Sequence, residues 1–338
     1  MDHYSNNPAR LTMTNQLDPQ LKLIKELIEF PTVSRDSNLE LINFISHYLK
    51  SYGIESKLIH SDCGNKANLL ATIGPNIGGG IVLSGHTDVV PVDGQDWHSD
   101  PFRLDQREGR LYGRGTSDMK SFCAIALSLI PEMQGLKQPI HLALSYDEEV
   151  GCLGTKSLIK LIKEEIPEPL GVIVGEPTEM RIVTAHKGIT HFLTTVTGYE
   201  AHSSQQHRGV PAIMYAGRII NWLAERQSKN ADLEDKKSGF EPGYTTLHCG
   251  LIKGGTAANI CARECTFETD IRTMPGESPE DYLEELQDYI KNTLEPQMKS
   301  IQQSTSIEIS LKANVPGFKA SDDDPMVQLV KQITGQNA

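Results

Sequence analysis

A histidine and a carboxylate stand two residues apart directly after a short apolar run. The run is Ile81-Val82-Leu83, and Ser84-Gly85-His86-Thr87-Asp88 follows it. If the backbone stays extended, His86 and Asp88 project from the same face of the chain. An imidazole nitrogen is a suitable ligand for a divalent metal, and a nearby carboxylate can fix the orientation of the ring. A loop histidine that is hydrogen-bonded to its acidic neighbour is the alternative that this stretch alone leaves open.

Carboxylates also follow two apolar runs further along the chain. Ile140–Leu144 leads into Asp147-Glu148-Glu149, and Leu170–Val174 leads into Gly175 and Glu176. Adjacent carboxylates at the end of a buried strand repel one another unless a cation or a proton compensates. A metal site is one interpretation of the acidic run, and a solvated loop is the other.

A further acid, Asp118, lies where a helix is expected to begin. It belongs to Gly113-Arg114-Gly115-Thr116-Ser117-Asp118-Met119-Lys120, and apolar residues at helical spacing follow. Asp118 could therefore be a helix cap, which is worth about 1 kcal/mol. Ligands in α/β sheets bind beyond the carboxyl ends of the strands, and Asp118 falls in a loop beside such an end. Because these acids and His86 are all expected at the same edge of the sheet, a metal site is favoured over a separate structural role for each residue.

Apolar strands alternate with helical patterns through the first half of the chain, which predicts an α/β fold with a helix-covered mixed sheet. From about Ile189 the pattern becomes β-α-β-β-α, the content of a two-layer α/β sandwich inserted into the first domain. We therefore expect a metal-binding catalytic domain at 1–189 and an inserted α/β domain at 190–299. Residues 300–338, with a strand at Ser306–Leu311 and a helix at Met326–Ile333, are expected to return to the catalytic domain.

Composition narrows the classes of function. The 338 residues carry a formal net charge of −12 without a basic tract, which argues against nucleic acid as the main partner. No apolar run reaches the length needed to cross a membrane. The polar segment 1–16 lacks the features of a signal peptide, and the cysteines form no C-x-x-C pair. A cytoplasmic location is therefore expected.

Six motifs together resemble one enzyme family. They are Gly85-His86-Thr87-Asp88-Val89-Val90-Pro91, Gly113-Arg114-Gly115-Thr116-Ser117-Asp118-Met119-Lys120, Asp147-Glu148-Glu149, Gly175-Glu176-Pro177-Thr178, Ala201-His202-Ser203-Ser204 and Gly254-Gly255-Thr256-Ala257-Ala258-Asn259. The chain resembles the co-catalytic metal amidohydrolases, which include acetylornithine deacetylase, succinyl-diaminopimelate desuccinylase, aminoacylase and related carboxypeptidases.

The resemblance implies a site for two divalent metal ions, with zinc expected and cobalt as the alternative. His86 and Glu176 would bind one metal. Asp118 would bridge the two metals, and Glu149 would bind the second. Asp88 would act as a partner that orients His86.

Four further roles follow from the same resemblance. Glu148 would be the general base, and His202 would stabilise the developing oxyanion. Asn259 and Arg272 would hold the substrate, with Arg272 suited to a carboxylate. The alternatives are a satisfied loop histidine for His202, a turn residue for Asn259 and a structural ion pair for Arg272.

The implied function is hydrolysis of N²-acetyl-L-ornithine to L-ornithine and acetate by a homodimeric enzyme of arginine biosynthesis. The alternatives are desuccinylation of a diaminopimelate precursor, hydrolysis of another N-acyl amino acid and a dipeptidase-like reaction. A truncated, non-catalytic homologue is an alternative of another class. By the resemblance, residues 190–299 would be a lid or dimerisation domain. The resemblance also implies a further histidine ligand in a segment beyond Met326–Ile333. The sequence does not include that segment, so low activity is expected of this polypeptide.

Overall fold

The computed structural model describes residues 18–336, and these cluster into two units. The first unit holds the described residues up to Glu149 together with Gly154–Pro177. The second holds Val150–Leu153 and the described residues from Thr178 onwards. The segment 1–16, interpreted above as a polar tail, lies outside the described residues. Among the described residues, no helix combines the length and the apolar character that a bilayer span requires.

A five-stranded mixed sheet forms the centre of the first unit. Its strands are β1 (Ser56–His60), β2 (Ala67–Ile73), β3 (Ile81–His86), β6 (Ile140–Ser145) and β7 (Gly171–Val174), while β4 (Asp105–Arg107) and β5 (Arg110–Tyr112) form a separate hairpin. The strand order is β1-β2-β6-β3-β7, in which β6, β3 and β7 run parallel and β1 and β2 pair antiparallel. The three parallel strands therefore end at the same edge of the sheet.

Helices cover both faces of this sheet because the strands alternate apolar side chains between the faces. The helices are α1 (Pro19–Ile28), α2 (Leu39–Ser51), α3 (Lys120–Ser128) and α4 (Thr155–Glu165). Leu142 and Leu144 pack with apolar residues of α1, α2 and α3, whereas Ala143 packs with Leu158 of α4 on the other face. Asp18 caps α1 as the sequence predicts, since its side chain accepts a hydrogen bond from the backbone of Gln20.

Two glycines allow α3 to approach the ends of β3 and β7. A Cβ atom on Gly85 would lie 2.9 Å from Met119 Cε, and one on Gly175 would lie 2.1 Å from the ring of Phe122. Each glycine directly precedes a candidate ligand, His86 or Glu176. Because these two glycines have no Cβ atom, the start of α3 can lie close to both of these strand ends.

The second unit contains a four-stranded antiparallel sheet with helices on one face. Its elements are β8 (Ala185–His186), β9 (Ile189–Thr197), α5 (Ala212–Ala231), β10 (Thr246–Gly254), β11 (Glu264–Arg272), α6 (Pro279–Tyr289), a π-helical turn (Ile290–Leu294), α7 (Glu295–Ile301), β12 (Ser306–Val315), β13 (Phe318–Lys319) and α8 (Pro325–Thr334). The strand order is β10-β11-β9-β12, and one apolar cluster joins this sheet to α5, α6 and α7. The predicted fold class, a helix-covered mixed sheet together with a two-layer α/β sandwich, is confirmed.

The placement of the last strand corrects the sequence-based prediction. Ser306–Leu311 was expected to return to the first domain, but β12 pairs antiparallel with β9 from Ser306↔Thr197 to Val315↔Ile189. Ile307 is buried in the core of the second unit, and α8, which includes all of the predicted helix Met326–Ile333, clusters with that unit as well. The alternating pattern of a strand shows that one of its faces is buried, but it does not show which sheet the strand joins.

The contact between Gly175 and Phe122 predicts that Gly175→Ala destabilises the protein by about 1–3 kcal/mol, the usual range for overpacking a core. The added methyl group must displace either the aromatic ring or the backbone next to Glu176. The free energy of unfolding in urea measures the effect.

Gly217→Ala in α5 is the matched control, because nothing lies within 4 Å of its added Cβ atom. It should stabilise the helix by about 0.5–1 kcal/mol. Combining Gly175→Ala with Phe122→Leu should cost less than the sum of the two single changes. If the loss of unfolding free energy in the double variant equals the sum of the two single losses, the ring and the glycine are not coupled.

Candidate metal centre

Most of the candidate ligands lie at or just after the ends of the parallel strands of the first unit. His86 is the last residue of β3, and Glu176 follows β7 by two residues. Glu148 and Glu149 follow β6 after a short turn. Asp118 precedes the first residue of α3 by two positions, and the two glycines bring the start of that helix close to β3 and β7.

The structure brings these side chains together around one imidazole nitrogen. His86 Nε2 lies 2.9 Å from Asp118 Oδ1, 3.8 Å from Glu176 Oε1 and 4.0 Å from Glu148 Oε2. Two groups have their ligand atoms within 4.8 Å of one another: His86 with Glu148 and Glu176, and His86 with Asp118 and Glu149. The four predicted metal ligands and the predicted base Glu148 therefore lie close to one another.

The backbone fixes the orientation of the His86 ring. The side chain is 1% exposed, and its Nδ1 donates a hydrogen bond to the carbonyl oxygen of Asp88 at 2.9 Å. The Asp88 carboxylate lies further away, 3.6 Å from Nδ1. Asp88 thus orients the ring through its carbonyl oxygen, which leaves Nε2 directed at the carboxylates.

The Asp88 carboxylate instead holds the acidic turn after β6. It accepts hydrogen bonds from the backbone nitrogens of Glu148 at 3.1 Å and Glu149 at 3.3 Å. Ser34 Oγ donates a third hydrogen bond to it at 2.7 Å. One buried carboxylate therefore connects the end of β3 with the turn that carries two of the candidate site residues.

The crowding of charge changes the proton affinity of the site. Burial disfavours the charged form of His86, but Asp88 and the other carboxylates outweigh burial and raise the pKa of the imidazole to about 10. Burial, followed by repulsion from Asp118 and its neighbours, raises the pKa of Glu176 to about 7. The same causes, with burial again the largest, raise the pKa of Glu149. Without a compensating charge, the site therefore retains protons.

A divalent cation fits this set of donors. One imidazole nitrogen and carboxylate oxygens at these separations suit zinc or cobalt, and such ions neutralise the repulsion that raises the carboxyl pKa values. The hydrogen bond from Nδ1 to a backbone carbonyl is the outer contact that metal-binding histidines usually make. The residues present are consistent with a metal centre.

Two of the alternative interpretations are excluded by geometry. Asp118 does not cap α3, because the residue at the cap position is Met119 and no side-chain hydrogen bond caps that helix. The acidic run is not a solvated loop, because Asp147 is only 8% exposed and Asp88 binds the backbone of the two glutamates.

The remaining predicted site residues lie in the second unit and make local contacts there. Exposed His202 contacts Ser204 Oγ through Nδ1 at 2.8 Å. The backbone of its neighbour Ser203 donates to the carbonyl of Asn259 at 2.9 Å. Arg272 Nε donates to Asp270 Oδ2 at 2.8 Å, which is the ion pair considered above as an alternative. The roles assigned to His202, Asn259 and Arg272 stay predictions.

Sequence reasoning missed Ser34 and Lys66, which support the acidic turn. Ser34 binds Asp88, and Lys66 Nζ binds Asp147 at 2.5 Å. Neither residue lies in a recognisable motif, and each is more than 50 positions from its partner in the chain. The sequence contains no local signal for either contact.

Residues 82–337 match the protein family described as peptidase family M20/M25/M40. The chain belongs to this family. It is also 33% identical to the acetylornithine deacetylase of Proteus mirabilis (strain HI4320), in an alignment that covers 96% of this chain and 84% of that enzyme.

Solved structures of the M20 family share the fold. An M20 family metallo-carboxypeptidase, Sso-CP2 of Sulfolobus solfataricus, superposes with a TM-score of 0.74 at 18% identity, covering 95% of this chain and 85% of that one. The YXEP protein of Bacillus subtilis, described as a dinuclear metal-binding peptidase of the M20 family, gives a TM-score of 0.57 at 14% identity, with coverages of 89% and 75%.

The raised pKa values predict that metal binding to this M20 protein releases protons. A cation must displace the proton of His86, whose pKa is about 10, at every pH below that value. At pH 6.5 it must also displace the proton of Glu176, whose pKa is about 7, whereas at pH 8.5 that group is already ionised. Calorimetry in buffers of different ionisation enthalpy should therefore show more protons released at pH 6.5 than at pH 8.5.

Glu176→Gln provides the control for this titration. In this variant, the number of protons released on metal binding should differ much less between pH 6.5 and pH 8.5. The protons released from His86 should remain. Metal binding to the wild-type protein with no dependence on the buffer would contradict the prediction.

Proposed function

We propose that this M20 protein hydrolyses N²-acetyl-L-ornithine to L-ornithine and acetate with the help of two divalent cations. The observation that carries the proposal is the convergence of four carboxylates on the Nε2 atom of His86. The acetylornithine deacetylase of Proteus mirabilis, 33% identical over nearly the whole chain, supports the choice of substrate. Arginine biosynthesis and a cytoplasmic location are parts of the same proposal.

The assignment of ligands follows the family resemblance, and the short distances within the cluster support it. His86 and Glu176, with Nε2 and Oε1 3.8 Å apart, would hold one cation. Asp118, whose Oδ1 lies 2.9 Å from the same nitrogen, would bind both that cation and a second one held by Glu149. Zinc is the expected metal and cobalt the alternative, since both accept mixed nitrogen and oxygen ligands. When bound, such ions polarise a carbonyl group and lower the pKa of water.

Glu148 is the proposed general base. Its carboxylate lies 4.0 Å from His86 Nε2, and Asp88 fixes its backbone by accepting a hydrogen bond at 3.1 Å. Hydrolysis of the amide requires a proton to leave the attacking water and to reach the departing amine. A carboxylate held beside the reacting centre can carry that proton in both steps.

The family resemblance assigns roles in catalysis and substrate binding to three residues of the second unit. His202 would donate a hydrogen bond to the oxyanion, a contact worth about 3–4 kcal/mol of the barrier. Arg272 would bind the α-carboxylate of the substrate, and Asn259 would help to hold it. The pairing of the His202 segment with the Asn259 segment supports a common role for these two residues.

A homodimer is the proposed assembly. Strand β10 is an edge strand of the second sheet, and its residues Leu251 and Ile252 are 58% and 52% exposed. Met214, near the start of α5, is 61% exposed, and its neighbour Ile213 would lie 3.0 Å from a Cβ atom added to Gly255. An unpaired strand edge beside exposed apolar side chains is suited to pairing with a second copy.

Replacing the general base predicts a specific loss. Glu148→Gln should lower kcat for N²-acetyl-L-ornithine by about 100-fold or more, because general base catalysis contributes about 10²- to 10⁴-fold. The wild-type protein should hydrolyse this substrate faster than N-succinyl-diaminopimelate or a dipeptide. Ninhydrin detection of the released amine and metal analysis of the same samples measure both effects.

The variant should keep most of its metal, which separates loss of the base from loss of a ligand. Glu132→Gln, a change of the same type in the short helical turn Ile130–Glu132, is the control and should leave kcat unchanged. A metal-loaded wild-type protein that prefers the succinyl substrate or the dipeptide would overturn the acetylornithine assignment.

The proposed dimer predicts that Leu251→Glu yields monomers. A buried carboxylate at a strand edge would lack a partner and would oppose pairing of the two copies. Sedimentation velocity at micromolar concentration should show one faster species for the wild-type protein and a slower one for the variant. Leu233→Glu, at a site 78% exposed and outside this edge, is the control that should stay dimeric. A monomeric wild-type protein would refute the assembly.

A further inference from the structure

Lys66 forms a largely buried ion pair beneath the acidic turn. It is the residue immediately before β2, and its Nζ contacts Asp147 Oδ1 at 2.5 Å. Each side chain of the pair is only 12% exposed. The same Nζ donates to the carbonyl oxygen of Ser34, also at 2.5 Å. Lys66 therefore joins two segments that are distant from it in sequence.

Asp147 sets the direction of the turn. Its φ of 54° lies in the left-handed region, which residues other than glycine rarely adopt. Such a backbone persists when surrounding contacts hold it in place. Asp147 directly precedes the proposed base Glu148 and the proposed ligand Glu149, so its conformation determines where both side chains point.

The contacts close into a ring. Lys66 binds Asp147 and the carbonyl of Ser34, and Ser34 Oγ donates to Asp88 at 2.7 Å. Asp88 in turn accepts from the backbone of Glu148 at 3.1 Å and of Glu149 at 3.3 Å. Through this ring, the turn is held from one side by Asp88 and from the other by Lys66.

We propose that Lys66 is a positioning residue that sets the affinity of the cation held by Glu149. Without the ammonium group, buried Asp147 loses its charge partner, and the turn is free to leave the left-handed conformation. Glu149 then loses its fixed position, whereas the strand that carries His86 stays paired with β6 and β7. The inference rests on the two-cation site proposed above.

The test measures stepwise metal binding to the full chain by calorimetry with cobalt. Lys66→Met should weaken one of the two binding steps by about 10- to 100-fold, the usual effect of removing an outer contact from a metal site. Glu149→Gln identifies that step, because it should weaken the same one. Lys66→Arg keeps the charge and should retain most of the affinity.

Lys57→Met is the matched control. Lys57 forms an ion pair with Glu165 in the same unit, but the two side chains are 59% and 36% exposed. This variant should bind both cations as the wild-type protein does. Asp147→Asn is a second test if Lys66→Met fails to fold, and it should weaken the same step.

A purely structural role would give a different result. In that case Lys66→Met would lower the free energy of unfolding of the metal-free protein while both dissociation constants stayed unchanged, and the inference would be wrong. The outcome is independent of the substrate assignment. A wild-type protein that binds two cations but does not cleave N²-acetyl-L-ornithine would refute the deacetylase function and leave the role of Lys66 in place.

Discussion

The carboxylates of Asp118, Glu148, Glu149 and Glu176 surround one buried imidazole, that of His86. Charges of one sign at this density are stable only when protons or cations neutralise them. The pKa values of His86 and Glu176 are raised for this reason, so protons are expected to neutralise the site when no cation is bound. Much of the first unit is arranged to hold this unfavourable collection of groups in place.

The fold meets this constraint with rigid elements and buried hydrogen bonds. Three parallel strands end at one edge, and the absence of Cβ atoms at Gly85 and Gly175 brings the start of α3 to the same place. Asp88 and Ser34 then connect the end of β3 to the turn after β6. The ligands are therefore positioned mainly by backbone geometry, and few long side chains are needed to support them.

The sequence predicted the part of the site that depends on strand ends. His86 and Glu176 follow apolar runs directly, so their location at the sheet edge could be inferred from the pattern. Supporting residues such as Lys66 could not be inferred, because contacts over many positions leave no periodic signal. The sheet that β12 joins could not be inferred either, since its alternating burial fits the edge of any sheet. Second-unit residues such as His202 show only local contacts, so their roles depend on resemblance.

Strand β7 ends two residues before Glu176 and pairs, within the described residues, with β3 alone, whereas β3 has neighbours on both sides. Val172 and Val174 on this outer strand are 51% and 57% exposed. A strand with one ladder frays more readily than an inner strand, and its amide hydrogens exchange sooner. Of the three strand ends that lead to candidate ligands, the one next to Glu176 is thus expected to open most readily. A cation held at this centre would therefore lose its contact with Glu176 first, while the inner strands stay paired.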